Sequence, residues 1–135
     1  MSPKPVTFPR AVRAAIVRHA RREAPRECCG FLLGAGRRVQ FALPLANVDS
    51  RPKSRYRIDD RQHIEVRRWL RRLAPPLEIV GVYHSHPNAP ARPSASDVAE
   101  ANYPDWVFAI VSLNGSREDI GLFDIVRGRA RRLRV

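Results

Sequence analysis

Between residues 8 and 24, apolar Val12, Ala15, Ile16 and Ala20 recur at helical spacing with arginines between them. Positions three and four apart share one face of a helix, so this segment is expected to be amphipathic, ending at Pro25. Residues 29–33 and 39–45 are apolar runs separated by Gly34-Ala35-Gly36, the pattern of a hairpin. Residues 47–54 are polar and read as a loop, and residues 56–58 as a short strand. Asp59, with Gln62 three positions on, starts a second helix in the manner of a capping box; Ile64, Val66, Trp69, Leu70 and Leu73 supply its expected buried face. Pro75-Pro76 stops it.

Residues 77–83, LEIVGVY, are apolar on both alternating faces, as a central strand covered on two sides should be. That strand runs directly into His84-Ser85-His86-Pro87. A proline-punctuated loop to Pro93 precedes a short helix over residues 94–103 and a buried strand over residues 106–113. After the Asn114-Gly115 turn, residues 120–126 and 130–135 read as two strands, the last alternating with arginine and therefore an edge. The expected architecture is α/β (α+β): a mixed, curved sheet flanked by helices. With 135 residues and 15.4 kDa, the chain is read as a single domain, 1–135. No internal repeat or linker-like shift in composition divides it.

An apolar fraction of 44% is enough to offset folding entropy, which excludes disorder by composition. No apolar run is long enough to cross a bilayer and MSPKPVTFPR lacks a secretory pattern, so a cytoplasmic protein is expected, with no membrane partner. The only cysteines, Cys28 and Cys29, are adjacent and form no disulfide framework, which fits a reducing compartment. The formal net charge is +12, and Lys4 and Lys53 are the only lysines among 25 basic residues. Such a field would steer nucleic acid or an acidic partner, but arginines spread over several elements also suit solvated faces.

The chemistry is concentrated in residues 83–97, YHSHPNAPARPSASD. Residues two apart on a strand project from one face about 6.6 Å apart, so the imidazoles of His84 and His86 can converge on one ion. A catalytic zinc site takes three protein ligands and leaves a position for water. Asp97 is the nearest third ligand in sequence. Ser94 and Asp97 also have the spacing of a helical capping box, and taken alone that pair reads as a cap. The cap does not account for two histidines at the end of an apolar strand, whereas a three-ligand site accounts for both halves of the segment.

His84-Ser85-His86, seven residues, then Ser94-Ala95-Ser96-Asp97 resembles the signature of the JAMM, or MPN-plus, zinc-dependent isopeptidases. Upstream, Glu27-Cys28-Cys29-Gly30 is similar to that family's E-x-C-G segment, and the likeness continues at Tyr56-Arg57-Ile58-Asp59 and Ile110-Val111-Ser112-Leu113. The resemblance implies a JAMM/MPN-like, cytidine-deaminase-like fold in the compact form of small prokaryotic members. It implies one catalytic Zn²⁺ held by His84, His86 and Asp97 with water as fourth ligand. Glu27 would be the general base and Ser94 would stabilise the oxyanion.

The implied activity is that of a metallopeptidase cutting an amide or isopeptide bond after the C-terminal Gly-Gly of a ubiquitin-like or sulfur-carrier protein. Two other readings stand beside it: a metal-free MPN-type interaction scaffold, and a basic nucleic-acid-associated relative. The retained ligands and Glu27 argue against the first. The second has no recognition-helix signature or stacking platform to support it, so nucleic acid is disfavoured. Ser85 points away from the metal on a strand and is read as structural, Cys29 as a small packed residue, His19 as packed, and His63 as solvated. The oligomeric state is not legible.

Overall fold

The computed structural model describes residues 4–135. Helix α1 (Arg10–Glu23) follows Pro9 and buries Val12, Ile16, Val17, His19 and Ala20, while Arg21 and Arg22 in its last turn favour the negative end of the helix dipole. The strands are β1 (Cys29–Ala35), β2 (Arg38–Leu45), β3 (Glu78–His86), β4 (Val107–Ser112), β5 (Asp119–Val126) and β6 (Arg129–Arg132), in the order β2-β1-β3-β4-β5-β6. All neighbours are antiparallel except β3 and β4. A parallel pair needs a long crossover, and this one carries the short helix α3 (Ala95–Ala99). The mixed sheet flanked by helices is the architecture the pattern predicted.

Alternation along the strands divides the core between two faces. Val12, Ile16 and Ala20 of α1 pack with Cys28, Leu32, Tyr83 and Val111 on one face. On the other, Val82, Phe108, Ile110, Phe123 and Ile125 form one cluster, and Phe31 and Leu33 form another under Val66 and Leu70 of α2 (Asp60–Arg71). His19 is buried as expected; its Nδ1 lies 2.8 Å from the Tyr83 hydroxyl. β3 sits inside the sheet between β1 and β4, and β6 is an edge, both as its sequence suggested.

Three expectations are corrected. Ile64 and Trp69 are 52% and 47% exposed, because α2 rests on the sheet through the narrow Val66–Leu70 stripe with only partly buried Leu73 beside it. Residues 56–58 form no strand. Their backbone bonds turn inward to the preceding loop, where Val48 N–H donates to the Arg57 carbonyl (2.9 Å) and Arg57 N–H to Asn47 Oδ1 (3.1 Å). The third helix is shorter than predicted, spanning Ala95–Ala99 and closing at Glu100.

Candidate metal centre

His84 and His86 are the last alternating pair of β3, and the strand holds both before any loop begins. Cys29 of β1 lies across from His84 and Ser112 of β4 across from His86, so ladders on both sides fix the backbone beneath the imidazoles. The two side chains are 1% and 6% exposed. Ser85 faces the other way: its N–H donates to the Cys28 carbonyl (3.1 Å) and its Oγ accepts from Cys28 N–H (2.8 Å). Its structural reading agrees with these bonds.

The seven residues after His86 are fastened by two carbonyls. Pro90 O accepts from His86 Nδ1 (2.8 Å), and Ala89 O from the Ser112 hydroxyl (2.6 Å). A β-carbon on Gly121 would stand 2.5 Å from Ala91 O, so glycine on β5 is what lets the loop lie against the sheet. The chain then enters α3 through a complete capping box. Ser94 Oγ accepts from Asp97 N–H (3.1 Å), and Asp97 Oδ2 accepts from Ser94 N–H (2.8 Å). The cap and the ligand reading are therefore compatible, because the same Oδ2 also faces both histidines.

The three ligand-type atoms form a nearly equilateral triangle. His84 Nε2 is 3.1 Å from His86 Nε2 and 3.1 Å from Asp97 Oδ2, and His86 Nε2 is 3.2 Å from Asp97 Oδ2. The bond from His86 Nδ1–H to Pro90 O leaves its Nε2 lone pair directed into that triangle. Burial holds the His84 imidazole below its usual pKa, which favours the neutral form a metal ligand requires. Burial also opposes charge on His86, but the Asp97 hydrogen bond and the Pro90 carbonyl outweigh it and raise its pKa. For Asp97, burial is outweighed by the histidine hydrogen bonds and Ser94 N–H, which pull the carboxyl below the usual range.

Two imidazole nitrogens and one carboxylate oxygen this close together, with both histidines buried, suit a shared cation, which would take the place of any proton on the facing Nε2 atoms. Tetrahedral coordination with bonds of about 2.0 Å has ligand–ligand edges of about 3.3 Å. The observed triangle is within a few tenths of an ångström of that. The donor set and spacing therefore fit a small divalent ion.

Glu27 sits just ahead of β1; extending the β1–β3 register by two residues sets it across from His86. It is buried, and with His86, Ser94, Lys53 and Asn88 it lines a cleft of about 210 Å³. Desolvation is the main reason its carboxyl is raised to about 7, with the His86 charge pulling the other way. The fold thus brings Glu27, Ser94 and the histidine–aspartate cluster to one end of the sheet.

Cys28 and Cys29 are buried free thiols pushed up to about 11 and about 12 by desolvation, and Cys29 Sγ donates to the Ala46 carbonyl (3.6 Å). That bond suits a packed residue. His63 is half-buried among Phe31, Tyr103 and Trp106 rather than freely solvated. Tyr56, which pattern reading assigned only to a strand, stacks on the His84 ring with centroids 4.4 Å apart and planes 20° from parallel. Its position beside the family-like Arg57-Ile58-Asp59 was the available signal.

A model of the prokaryotic homologs of the JAB domain matches residues 9–126. A desampylase of Haloferax volcanii is 35% identical over 109 residues, covering 76% of this chain and 77% of that protein. The CysO-cysteine peptidase of Mycobacterium tuberculosis is 35% identical over 117 residues, or 84% of this chain and 78% of that protein. A JAB1/MPN domain protein of Archaeoglobus fulgidus superposes with a TM-score of 0.62, covering 98% of both chains at 16% identity, a likeness of fold alone. The matched stretch runs from the start of α1 to the end of β5 and carries the whole clustered site, and the chain belongs to the prokaryotic JAB-domain family.

Proposed function

We propose that this protein is a zinc-dependent peptidase that hydrolyses an amide or isopeptide bond after the C-terminal Gly-Gly of a ubiquitin-like or sulfur-carrier protein. The observation that carries the proposal is the 3.1–3.2 Å triangle of His84, His86 and Asp97 in a site that also holds a buried carboxyl, Glu27. A zinc ion held by those three side chains would supply Lewis acidity, polarising a carbonyl and making water a nucleophile near neutral pH.

Glu27 takes the proton from the attacking water and returns it to the departing amine. Burial raises this carboxyl above the ordinary carboxylate range while a cation beside it would lower it again, so the two influences together suit a group that accepts and then releases a proton. The Ser94 Oγ already accepts from Asp97 N–H, which leaves its own O–H proton to turn either to Ser96 Oγ (3.1 Å) or to a developing oxyanion. A cleft of about 210 Å³ suits a tail with no side chains at its last positions.

The relatives support the class of substrate: one is named a CysO-cysteine peptidase and another a desampylase. Among the described residues no helix is long and apolar enough to cross a membrane, and Cys28 and Cys29 form no disulfide; a cytoplasmic setting is part of the proposal. Incubating the protein with the ubiquitin-like carriers of its own organism, each extended past Gly-Gly, tests the proposal by mass. Cleavage at Gly-Gly that stops with a chelator, and falls about 10²- to 10⁴-fold in Glu27→Gln with zinc retained, is the expected result. Carriers left intact by zinc-loaded protein would sink it.

A further inference from the structure

Glu27 lies two residues ahead of β1, outside the regular ladder, so the sheet does not by itself fix its backbone. Both of its backbone polar groups are instead bound by the loop over residues 47–57. Glu27 N–H donates to the Pro52 carbonyl (2.7 Å), and the Glu27 carbonyl accepts from Asn47 Nδ2 (3.0 Å). Asn47 Nδ2 also donates to the Arg55 carbonyl (2.9 Å), while its Oδ1 accepts from Asp49 N–H (3.0 Å) and Arg57 N–H (3.1 Å). Both donors and both acceptor positions of one carboxamide are used. An exposed polar loop does not need such a hub for its own solvation. The tie is between the loop and the residue facing the histidines.

We infer that Asn47 is a positioning residue: by holding the Glu27 carbonyl it sets the direction in which the Glu27 carboxyl enters the cleft. This rests on the reading of Glu27 as the proton carrier. The carboxyl hangs roughly 3.7 Å from its Cα, so a backbone rotation of about 15° carries it about 1 Å off line, enough to cost on the order of 10²-fold in rate. Tyr56 stacks on His84 from the same loop, so one segment braces both the carboxyl and one imidazole.

Asn47→Asp is the informative substitution. It keeps oxygen acceptors for the Asp49 and Arg57 amides, preserving the turn, but sets an oxygen against the Glu27 and Arg55 carbonyls. The expected result with an extended carrier is a kcat lower by about 10- to 100-fold, with KM and zinc stoichiometry unchanged. In a Glu27→Gln background Asn47→Asp should cost nothing further, since the group it aims is gone. A kcat within twofold of the parent, or losses that multiply in the double variant, would overturn the inference.

Amide hydrogen exchange at Cys28 gives a readout independent of turnover, because its N–H shares a peptide plane with the Glu27 carbonyl and donates to Ser85 Oγ (2.8 Å). That N–H should exchange at least about tenfold faster in Asn47→Asp, and unchanged protection overturns the clamp even if no carrier is ever cleaved. A wild-type protein inert toward every carrier defeats the proposed function instead, and exchange at Cys28 still decides the clamp. Should Asn47→Asp not fold, Asn47→Ser, which retains an acceptor for the turn, takes its place with the same expectations.

Discussion

The two sides of the cleft are built by different means. His84, His86 and Asp97 come from fourteen consecutive residues, and each is fixed by regular structure: His84 by a strand paired on both sides, His86 by the same strand paired with β4, and Asp97 by a capping box. Glu27 arrives from 57 residues ahead of His84 and is held by side-chain and loop bonds that no repeating pattern supplies. The ligand side is therefore over-determined, and the carboxyl side depends on a few specific contacts. Loss of a ligand should abolish the centre, whereas loss of a Glu27 contact should leave the centre whole and misdirect the proton carrier.

Asp97→Ala tests the strong side and has the largest expected effect. It removes the one oxygen that faces both imidazoles and also accepts the Ser94 N–H. Two histidines remain where three ligands are needed, so bound zinc should fall from about one per chain to below about 0.1 after dialysis, read by elemental analysis. The lost half of the capping box should cost about 1 kcal/mol beside that. Full zinc occupancy in Asp97→Ala would show that the aspartate serves its helix only.

Gly121→Ala probes how the aspartate reaches the histidines without touching either. The new methyl group would stand 2.5 Å from Ala91 O and 2.7 Å from the Phe123 ring, so the loop after His86 must shift. A backbone contact of this kind is expected to cost about 1–3 kcal/mol in urea melts. Zinc affinity should weaken while the strand-borne histidines stay in place. An unchanged melt and unchanged affinity would mean that the loop is not braced against β5.

How much of this was legible in the sequence follows the same division. The histidine pair, the cap and the central strand were readable because each depends on short-range periodicity: two for a strand, three for a capping box. Glu27 was readable only through a resemblance, since nothing local distinguishes a buried carboxyl from a surface one ahead of a strand. Asn47 and Tyr56 were missed in their roles because those roles are set by partners far away in sequence, Glu27 and His84. Trp69 and Ile64 misled for a related reason: helical spacing says which side chains share a face, and only packing decides how wide a face the sheet covers.

The smallest expected effect concerns the metal-free protein and the cost of burying Glu27. Its carboxyl ordinarily titrates near 4.5 and is raised to about 7 here, chiefly by desolvation. Between those values the unfolded chain releases the proton more readily than the folded one. Stability of the metal-free protein should therefore fall as pH rises from about 4.5 and level off above about 7. A shift of this size corresponds to at most about 3 kcal/mol, and the open cleft lets water reduce it to about 1–2 kcal/mol.

Glutamine has the same shape and does not ionise. Metal-free Glu27→Gln should thus match the parent near pH 4.5 and exceed it by about 1–2 kcal/mol at pH 8 in urea melts. Zinc should narrow the gap, since a cation beside the carboxyl favours its charged form. Superimposable stability curves for the two metal-free proteins from pH 4.5 to 8 would mean that Glu27 is well solvated, and that the carboxyl side of the cleft is built without the desolvation cost its burial implies.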